Sequence, residues 1–278
     1  MNKNCAGYFR LLRHRQVRAK KQYIHQLFET LKRMGSKYWI NFFAFCFLTA
    51  CHKSGFRLFS AKTFLLGLNG KIYDIRIGKG EFEFLYETNI RRVYESVPGF
   101  APDPDDVAVD VGANIGTASI HWSRTLTEGA IFAIEPHPDT FRRLVKNIRL
   151  NHADRVIKPF HAALGRKKGM LPLFITDAGT MAIKAPSAKY GGNKIEVPCL
   201  TLDSFVKMQK IRQIDLLKID VEGFESDVLQ GASRSLQATR KIVLEYHSAA
   251  LKDRCAVLLA DAGFDLTIKE NLIFGHKS

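Results

Sequence analysis

Apolar positions follow two periods along most of this chain. At 107–111, Val107, Val109 and Val111 alternate with Ala108 and Asp110, a β-branched run that predicts a buried strand. Short apolar runs recur at 130–134, 156–160, 215–220 and 241–246. Between them the spacing lengthens to three and four residues. A helical pattern starts at Thr117, a second carries Phe141, Leu144, Val145 and Ile148, and a third carries Val228, Leu229, Ala232 and Leu236. A fourth, over 251–262, is stopped by Gly263, as a helix C-terminus prefers. Strands alternating with helices predict an α/β fold around a mostly parallel sheet. Two segments depart from the alternation. The runs 171–176 and 195–200 read as an extra hairpin around 177–193, a long stretch rich in Gly, Ala, Lys and Ser. Loops of that length are functional or disordered, so a lid or acceptor-binding loop and plain disorder both stand. At the end, 264–268 and 272–274 flank Lys269-Glu270-Asn271, which predicts two strands joined by a tight turn.

The first hundred residues follow another plan. Leu65, Leu66 and Leu68 precede Asn69-Gly70, and Ile72, Ile75 and Ile77 follow, the strongest short-range signal for a hairpin. Residues 81–97 are helical in pattern, and Pro98-Gly99 with Pro102-Asp103-Pro104-Asp105 marks a linker and boundary. Upstream, Tyr23, Ile24, Leu27, Phe28 and Leu31 recur among basic residues in 1–37, the pattern of a basic amphipathic helix. Residues 38–51 are strongly apolar but number only 14, short of the roughly 20 a spanning helix needs. A buried or interfacial helix is the favoured reading. A signal segment is the minority one, prompted by Leu48-Thr49-Ala50-Cys51, a lipoprotein-like cleavage box, with Met34 as an alternative start. Three regions result: a basic and apolar extension over 1–62, a hairpin and helix over 63–104, and the main domain over 105–278.

Charge sharpens this division. The formal net charge is +15. Residues 1–62 hold 13 Lys and Arg against Glu29 alone, whereas the remainder is near balance at 29 basic and 26 acidic residues. Basicity confined to one end points to peripheral contact with an anionic surface, a membrane or a polyanion, and not to a nucleic-acid footprint across the domain. The five cysteines are scattered without a Cys-x-x-Cys pair, which excludes a zinc ribbon and fits a reducing compartment. A cytoplasmic protein is the expectation, with the inner face of the membrane as an option and an exported lipoprotein as the minority reading.

The candidate chemistry begins where the 107–111 strand turns. Gly112 and Gly116 lie in that turn, where glycines admit a ligand close to the backbone and a following helix directs N–H groups at it. Glu135 ends the next apolar run, nineteen residues after Gly116, at the place where nucleoside-binding α/β folds put a ribose-gripping carboxylate. A dinucleotide fingerprint would need glycine at 114 and 117, where Asn114 and Thr117 stand, and no Walker loop is present. Asp110-x-Gly112-x-Asn114-x-Gly116 instead resembles motif I of S-adenosylmethionine (AdoMet) methyltransferases. Further on come Glu135-Pro136, Ala162-Ala163-Leu164-Gly165, Thr201-Leu202-Asp203, Lys218-Ile219-Asp220-Val221-Glu222-Gly223 with Glu225, and Leu244-Glu245-Tyr246-His247. This ordered set, spanning roughly residues 70–275, resembles the FkbM family of AdoMet-dependent methyltransferases. Where members carry a short Thr/Ser-Asp ahead of the linking helix, this chain reads Gly80-Glu81-Phe82-Glu83.

The resemblance implies a Rossmann-like class I methyltransferase sheet, mostly parallel and closed by an antiparallel hairpin. It implies AdoMet held by Asp110, Gly112, Ala113, Asn114, Gly116 and Thr117, with Asp110 near the methionine end, Glu135 and Pro136 at the ribose, and Ala162 beside the adenine. It also implies methyl transfer to oxygen, commonly on a sugar, glycolipid or polyketide-type product. The residues support this chemistry on their own. Asp110, Glu135, Asp220, Glu222, Glu245 and His247 sit at or just past predicted strand ends, where open α/β sheets bind ligands. A hydroxyl must lose its proton as it attacks, and a carboxylate or imidazole can take it. His247 or Asp220 is the expected base, with Glu222 and Glu245 orienting the acceptor. Blander roles compete: Glu225 as a helix-start charge, Lys218 as an ion-pair partner inside its strand, His161 as a surface residue. The same carboxylates suit Mg²⁺ or Mn²⁺, a reading kept but not favoured. Two rivals remain. A nucleic-acid methyltransferase lacks its Asn/Asp-Pro-Pro-aromatic signature here, since that place reads Asp220-Val221-Glu222-Gly223. A non-catalytic tethered protein is opposed by the intact Asp110, Gly112, Gly116 and Glu135 set.

Overall fold

A computed structural model describes residues 25–44, 46, 63–76, 80–175, 181–182 and 194–277. Helical backbone over 25–33 and 39–44 leads to a hairpin of β1 (Thr63–Leu68) and β2 (Lys71–Arg76). Asn69 and Gly70 form its turn with φ of 52° and 80°, the pair of left-handed residues that a tight hairpin turn requires. Next comes α1 (Glu81–Tyr86), which loosens into a π-helical turn over Glu87–Arg91 and a 3₁₀ turn over Val93–Glu95. The helix predicted over 81–97 is therefore interrupted, at Arg92, whose φ of 52° ends it.

The main domain alternates as its periodicity predicts: β3 (Val107–Val111), α2 (Thr117–Trp122), β4 (Ala130–Ile134), α3 (Pro138–Leu150) and β5 (Ile157–Phe160). A small sheet interrupts, made of β6 (Ala163–Leu164), β7 (Gly169–Ile175), β8 (Met181–Ala182) and β9 (Lys194–Leu200). The chain then runs through α4 (Leu202–Gln209), β10 (Ile214–Ile219), α5 (Glu225–Gln230), α6 (Ser233–Gln237), β11 (Thr239–Glu245), α7 (Ala249–Asp261), β12 (Asp265–Lys269) and β13 (Leu272–His276). The central sheet has seven strands in the order β12-β13-β11-β10-β3-β4-β5. Strands β11, β10, β3, β4 and β5 are parallel to one another, and β13 enters antiparallel between β11 and β12. The closing hairpin and the extra β7–β9 hairpin both match the sequence pattern. Apart from Met181 and Ala182, the 177–193 loop lies outside the described residues, as do residues 1–24 and the 48–51 box.

Strand alternation divides the core into two. Ala108, Ile131, Ala133, Leu216 and Val243 face one side, with Ile120, Trp122, Leu144 and Ile148 from α2 and α3. Val109, Val111, Phe132, Ile134, Leu217 and Ile219 face the other, with Val228, Leu236, Cys255 and Leu259 from the later helices. A parallel sheet covered on both faces needs such near-continuous apolar strands. The first of these cores also takes in Leu66, Leu68, Tyr73, Ile75, Phe82 and Leu85, together with Met34 and Phe42 from the extension. Residues on both sides of the 98–105 linker thus share one core. The helix expected through Val228 and Leu236 is split at Gly231. A Cβ there would lie 2.2 Å from the Gly165 carbonyl oxygen. The Asp203 carboxylate then caps the new start, accepting the backbone N–H of Arg234 and of Ser235.

Candidate active site

The turn after β3 is built for close approach. Gly112 has φ of 79°, and a Cβ on it would stand 1.8 Å from the Asp220 carbonyl oxygen, so only glycine fits between the ends of β3 and β10. Asn114, at the middle position of the motif, takes φ of 52°, a left-handed conformation that Asn tolerates. Its side-chain oxygen accepts the Ile115 N–H at 2.8 Å, and its own N–H donates to Glu135 Oε2 at 2.9 Å. Glu135 Oε1 accepts the His137 N–H at 2.8 Å. Burial pushes the Glu135 carboxyl up to about 7, against the pull of those two backbone hydrogen bonds.

Glu135 lines an open cleft enclosing about 890 Å³, mouth included, within the range of small-molecule sites. Gly112, Asn114, Pro136, Ala162, Val111, Ile134, Ala163, Leu164, Val221, Asp220 and Glu222 line it as well. Arg76, Glu81 and Phe84 close it from the hairpin and α1, so Gly80-Glu81-Phe82-Glu83 does contribute to the site. Glu81 is buried, accepting from the Arg76 backbone N–H at 2.6 Å and from Arg143 Nη2 at 2.7 Å. A smaller adjoining cavity of about 310 Å³ is lined by Ala113, Thr117, Thr88, Tyr94 and Lys218. Phe84, Gly112, Asn114 and Asp220 line both spaces.

Asp110 and Gly116 sit behind the turn. Asp110 is fully buried behind the turn, accepting from Ser119 Oγ at 2.6 Å and Lys218 Nζ at 3.0 Å, and lines neither cavity. Lys218 also donates to the Gly112 carbonyl at 3.1 Å, so the Asp110–Lys218 pair braces the turn from below. Burial works against the Lys218 charge, but Asp110 and Asp220 outweigh it and raise its pKa. Gly116 likewise faces packing, with a Cβ at 2.8 Å from Leu144 Cδ1. Both fix the shape of the turn that lines the cleft.

Past β10 and β11 the charged side chains converge. His247 Nδ1 lies 2.8 Å from Glu225 Oε1, and its Nε2 faces Glu222 at 3.4 Å and Asp220 at 3.7 Å. Glu225 is fully buried and also accepts the Gly223 N–H at 2.8 Å. Burial opposes charge on His247, yet the Glu225 hydrogen bond and the Asp220 and Glu222 carboxylates push it up to about 9. The imidazole is therefore protonated at neutral pH. The Tyr94 hydroxyl donates to Asp220 Oδ2 and Glu245 Oε2, each at 3.2 Å, and Asn271 Nδ2 donates to Glu245 Oε1 at 2.6 Å. Burial and the nearby Asp220 raise Glu245 to about 7. Asp220, Glu222 and His247 each bring a donor atom within 4.8 Å of the others, a spacing that serves direct ion pairing or a divalent cation.

The comparisons with known proteins decide the family. The model of the methyltransferase FkbM domain matches residues 110–266. The chain belongs to the FkbM methyltransferase family. Among curated relatives, the hexuronic acid methyltransferase AglP of Haloferax volcanii is 30% identical over 183 residues, 63% of this chain and 72% of that protein. Methyltransferase sdnD of Sordaria araneosa is 28% identical over 222 residues, 69% of this chain and 85% of that one. The 2-O-methyltransferase NoeI of Sinorhizobium fredii is 26% identical over 180 residues, covering 59% and 72%. The chain is an AdoMet-dependent methyltransferase, and its residues fit that cofactor. In this FkbM methyltransferase the cleft offers an acceptor carboxylate for a ribose diol at Glu135, apolar walls at Ile134, Ala162 and Leu164, and a Cβ-free approach at Gly112. Three members of the site carried weak sequence signals. Tyr94 sat inside a helical pattern, and Glu225 and Lys218 had bland readings as a helix-start charge and an ion-pair partner. Lys218 is the ion-pair partner expected, and Glu225 is both the helix-start charge expected and the support of His247. His161 is exposed and bonds the Pro136 carbonyl at 2.9 Å.

Proposed function

We propose that this methyltransferase transfers a methyl group to a hydroxyl of a small-molecule acceptor, a sugar, glycolipid or secondary metabolite, with Asp220 as the proton acceptor. The activities named for two relatives, on a hexuronic acid and at a 2-O position, support oxygen as the target. The position of Asp220 carries the residue assignment. Of the four residues shared by the cleft and its adjoining cavity, Asp220 alone can take a proton. Bound AdoMet supplies a sulfonium methyl as the electrophile. Glu135 would hold its ribose, and the turn at 112–114 its backbone-facing side. The sequence left His247 and Asp220 as alternative bases. With His247 protonated at neutral pH, its role in this reading is to hold Asp220 and Glu222 in place while Glu222 orients the acceptor. Tyr94 steadies Asp220 from the other side.

Methyl transfer from labelled AdoMet to a panel of uronic acids, sugars and glycolipids tests this. Asp220→Asn is expected to lower kcat by roughly 10²–10⁴-fold, the usual worth of a general base, with AdoMet affinity little changed. An unchanged kcat in Asp220→Asn, with activity lost in His247→Gln, would move the base to the imidazole.

A further inference from the structure

The extension presents an apolar face that the body leaves uncovered. In the 39–44 helix, Phe42 is buried against Phe82 of α1, ring centroids 6.2 Å apart, and Asn41 donates to the Leu65 carbonyl at 3.1 Å. Trp39, Ile40 and Phe43 share the outward face of that helix and are 45%, 81% and 57% exposed. In the 25–33 helix, Leu27 and Leu31 pack on the core while Phe28 is 60% exposed. Lys32 and Arg33, at the end of the first helix, and Lys37, between the two, are exposed. Clustered aromatic and aliphatic side chains open to water mark a docking surface and not an ordinary exterior.

We propose that Trp39, Ile40 and Phe43, with exposed Lys32, Arg33 and Lys37 just before them in the chain, form a docking patch for the surface of an anionic lipid bilayer. Charge selects the occupant. Residues 1–62 carry 13 basic side chains and one acid, which attracts an anionic surface but sets two copies of the extension in mutual repulsion. Side-chain chemistry agrees, because tryptophan and phenylalanine beside lysine and arginine suit the boundary between headgroups and acyl chains. Among the described residues no helix is long and apolar enough to cross a membrane, so the patch would lie on the bilayer. Phe82, which seats Phe42, belongs to the same α1 that brings Glu81 and Phe84 to the cleft. Docking would therefore set the cleft wall near the membrane, where a lipid-linked acceptor would be found. The patch stands on its own geometry and does not depend on the identity of the acceptor.

The chain has two tryptophans, and Trp122 is 1% exposed, so a lipid-induced change in tryptophan emission reports Trp39. Full-length protein is mixed with vesicles of phosphatidylcholine alone and of phosphatidylcholine with about one third phosphatidylglycerol. The expected result is flotation with the anionic vesicles and a blue shift in emission. A Trp39→Ser/Ile40→Ser/Phe43→Ser variant should lose at least about tenfold in vesicle partitioning while retaining AdoMet binding, which reports its folding. A Lys32→Gln/Arg33→Gln/Lys37→Gln variant should lose binding in the same direction, and added salt should weaken the wild type. Failure to float with either vesicle overturns the proposal. So does flotation without a Trp39 shift or undiminished in the triple serine variant, which would place the contact elsewhere. A blue shift that grows with protein concentration without lipid, alongside a dimer by sedimentation, would replace the bilayer with a second copy.

Discussion

Both oxygens of Glu135 accept a backbone N–H, yet burial still holds its carboxyl near 7. Ionised, it can accept two ribose hydroxyls; protonated, it loses acceptor capacity. AdoMet affinity is therefore expected to rise as pH climbs through about 7 and level off above, and Glu135→Gln should weaken binding and flatten the profile. Calorimetric titration on either side of neutrality checks this. Glu135, Glu245 and His247 also share a sign in their effect on folding. Each binds its proton more tightly folded, at about 7, 7 and 9, than at its ordinary 4.5, 4.5 and 6.5. The stability each contributes is complete below its ordinary value and is lost as pH rises through its folded value. Between about 4.5 and 9 these three groups should therefore lower the urea midpoint as pH rises. His247→Gln should remove the part lost between about 6.5 and 9, and an unchanged slope there would show that the imidazole is not raised.

At the scale of elements, short polar motifs decide where helices start and stop. Thr201 caps α4, accepting the Ser204 N–H at 3.1 Å. Two residues on, Asp203 accepts from Ser233 Oγ and from the backbone and hydroxyl of Ser235 at the start of α6. Burial raises the Asp203 pKa, but these hydrogen bonds dominate and lower it. The Thr201-Leu202-Asp203 motif thus locks two helices together, which explains its place in the ordered set without a part in catalysis. Asp203→Ala is expected to cost about 1–2 kcal/mol, the upper end for a lost cap, while AdoMet affinity stays unchanged. Thermal unfolding with parallel binding measurements separates the two effects. The Asp110–Lys218 pair does similar work between β3 and β10, tying two strand ends whose approach Gly112 makes possible.

At the scale of the whole molecule, the described part of the extension, residues 25–44, packs into the core. Phe42 and Met34 are buried beside Leu66, Leu68 and Phe82, and the Met34 backbone bridges to Leu68. Removing residues 1–62 would strip this packing from the hairpin that closes the cleft with Arg76. Phe42→Ala is expected to cost about 3–5 kcal/mol, the range for truncating a buried phenylalanine, and a truncated chain beginning at Thr63 should unfold at a lower temperature than the full chain. An equal melting temperature would make the extension a tether with no share in the core.

Periodicity, turn residues and motif order were local, and the sequence alone determined what they govern. The alternation of Val107, Val109 and Val111, the Asn69-Gly70 turn and the run around Lys269-Glu270-Asn271 specified the strands, the first hairpin and the closing one. The glycine turn with Glu135 marked a nucleoside-type site, because backbone approach and a ribose carboxylate lie within one strand–helix–strand unit, and the resemblance of the ordered motifs pointed to AdoMet. Tertiary structure decided what depends on partners distant in sequence. Asp110 meets Lys218, 108 positions away, beneath the turn. Glu225 is the helix-start charge expected, in the first turn of α5, and β11 also brings His247 onto it. Tyr94 came to Asp220 across 126 positions, and such a meeting leaves no periodic trace. The direction in which a side chain points, and the charge it keeps there, follow from which strands pair and what they bury.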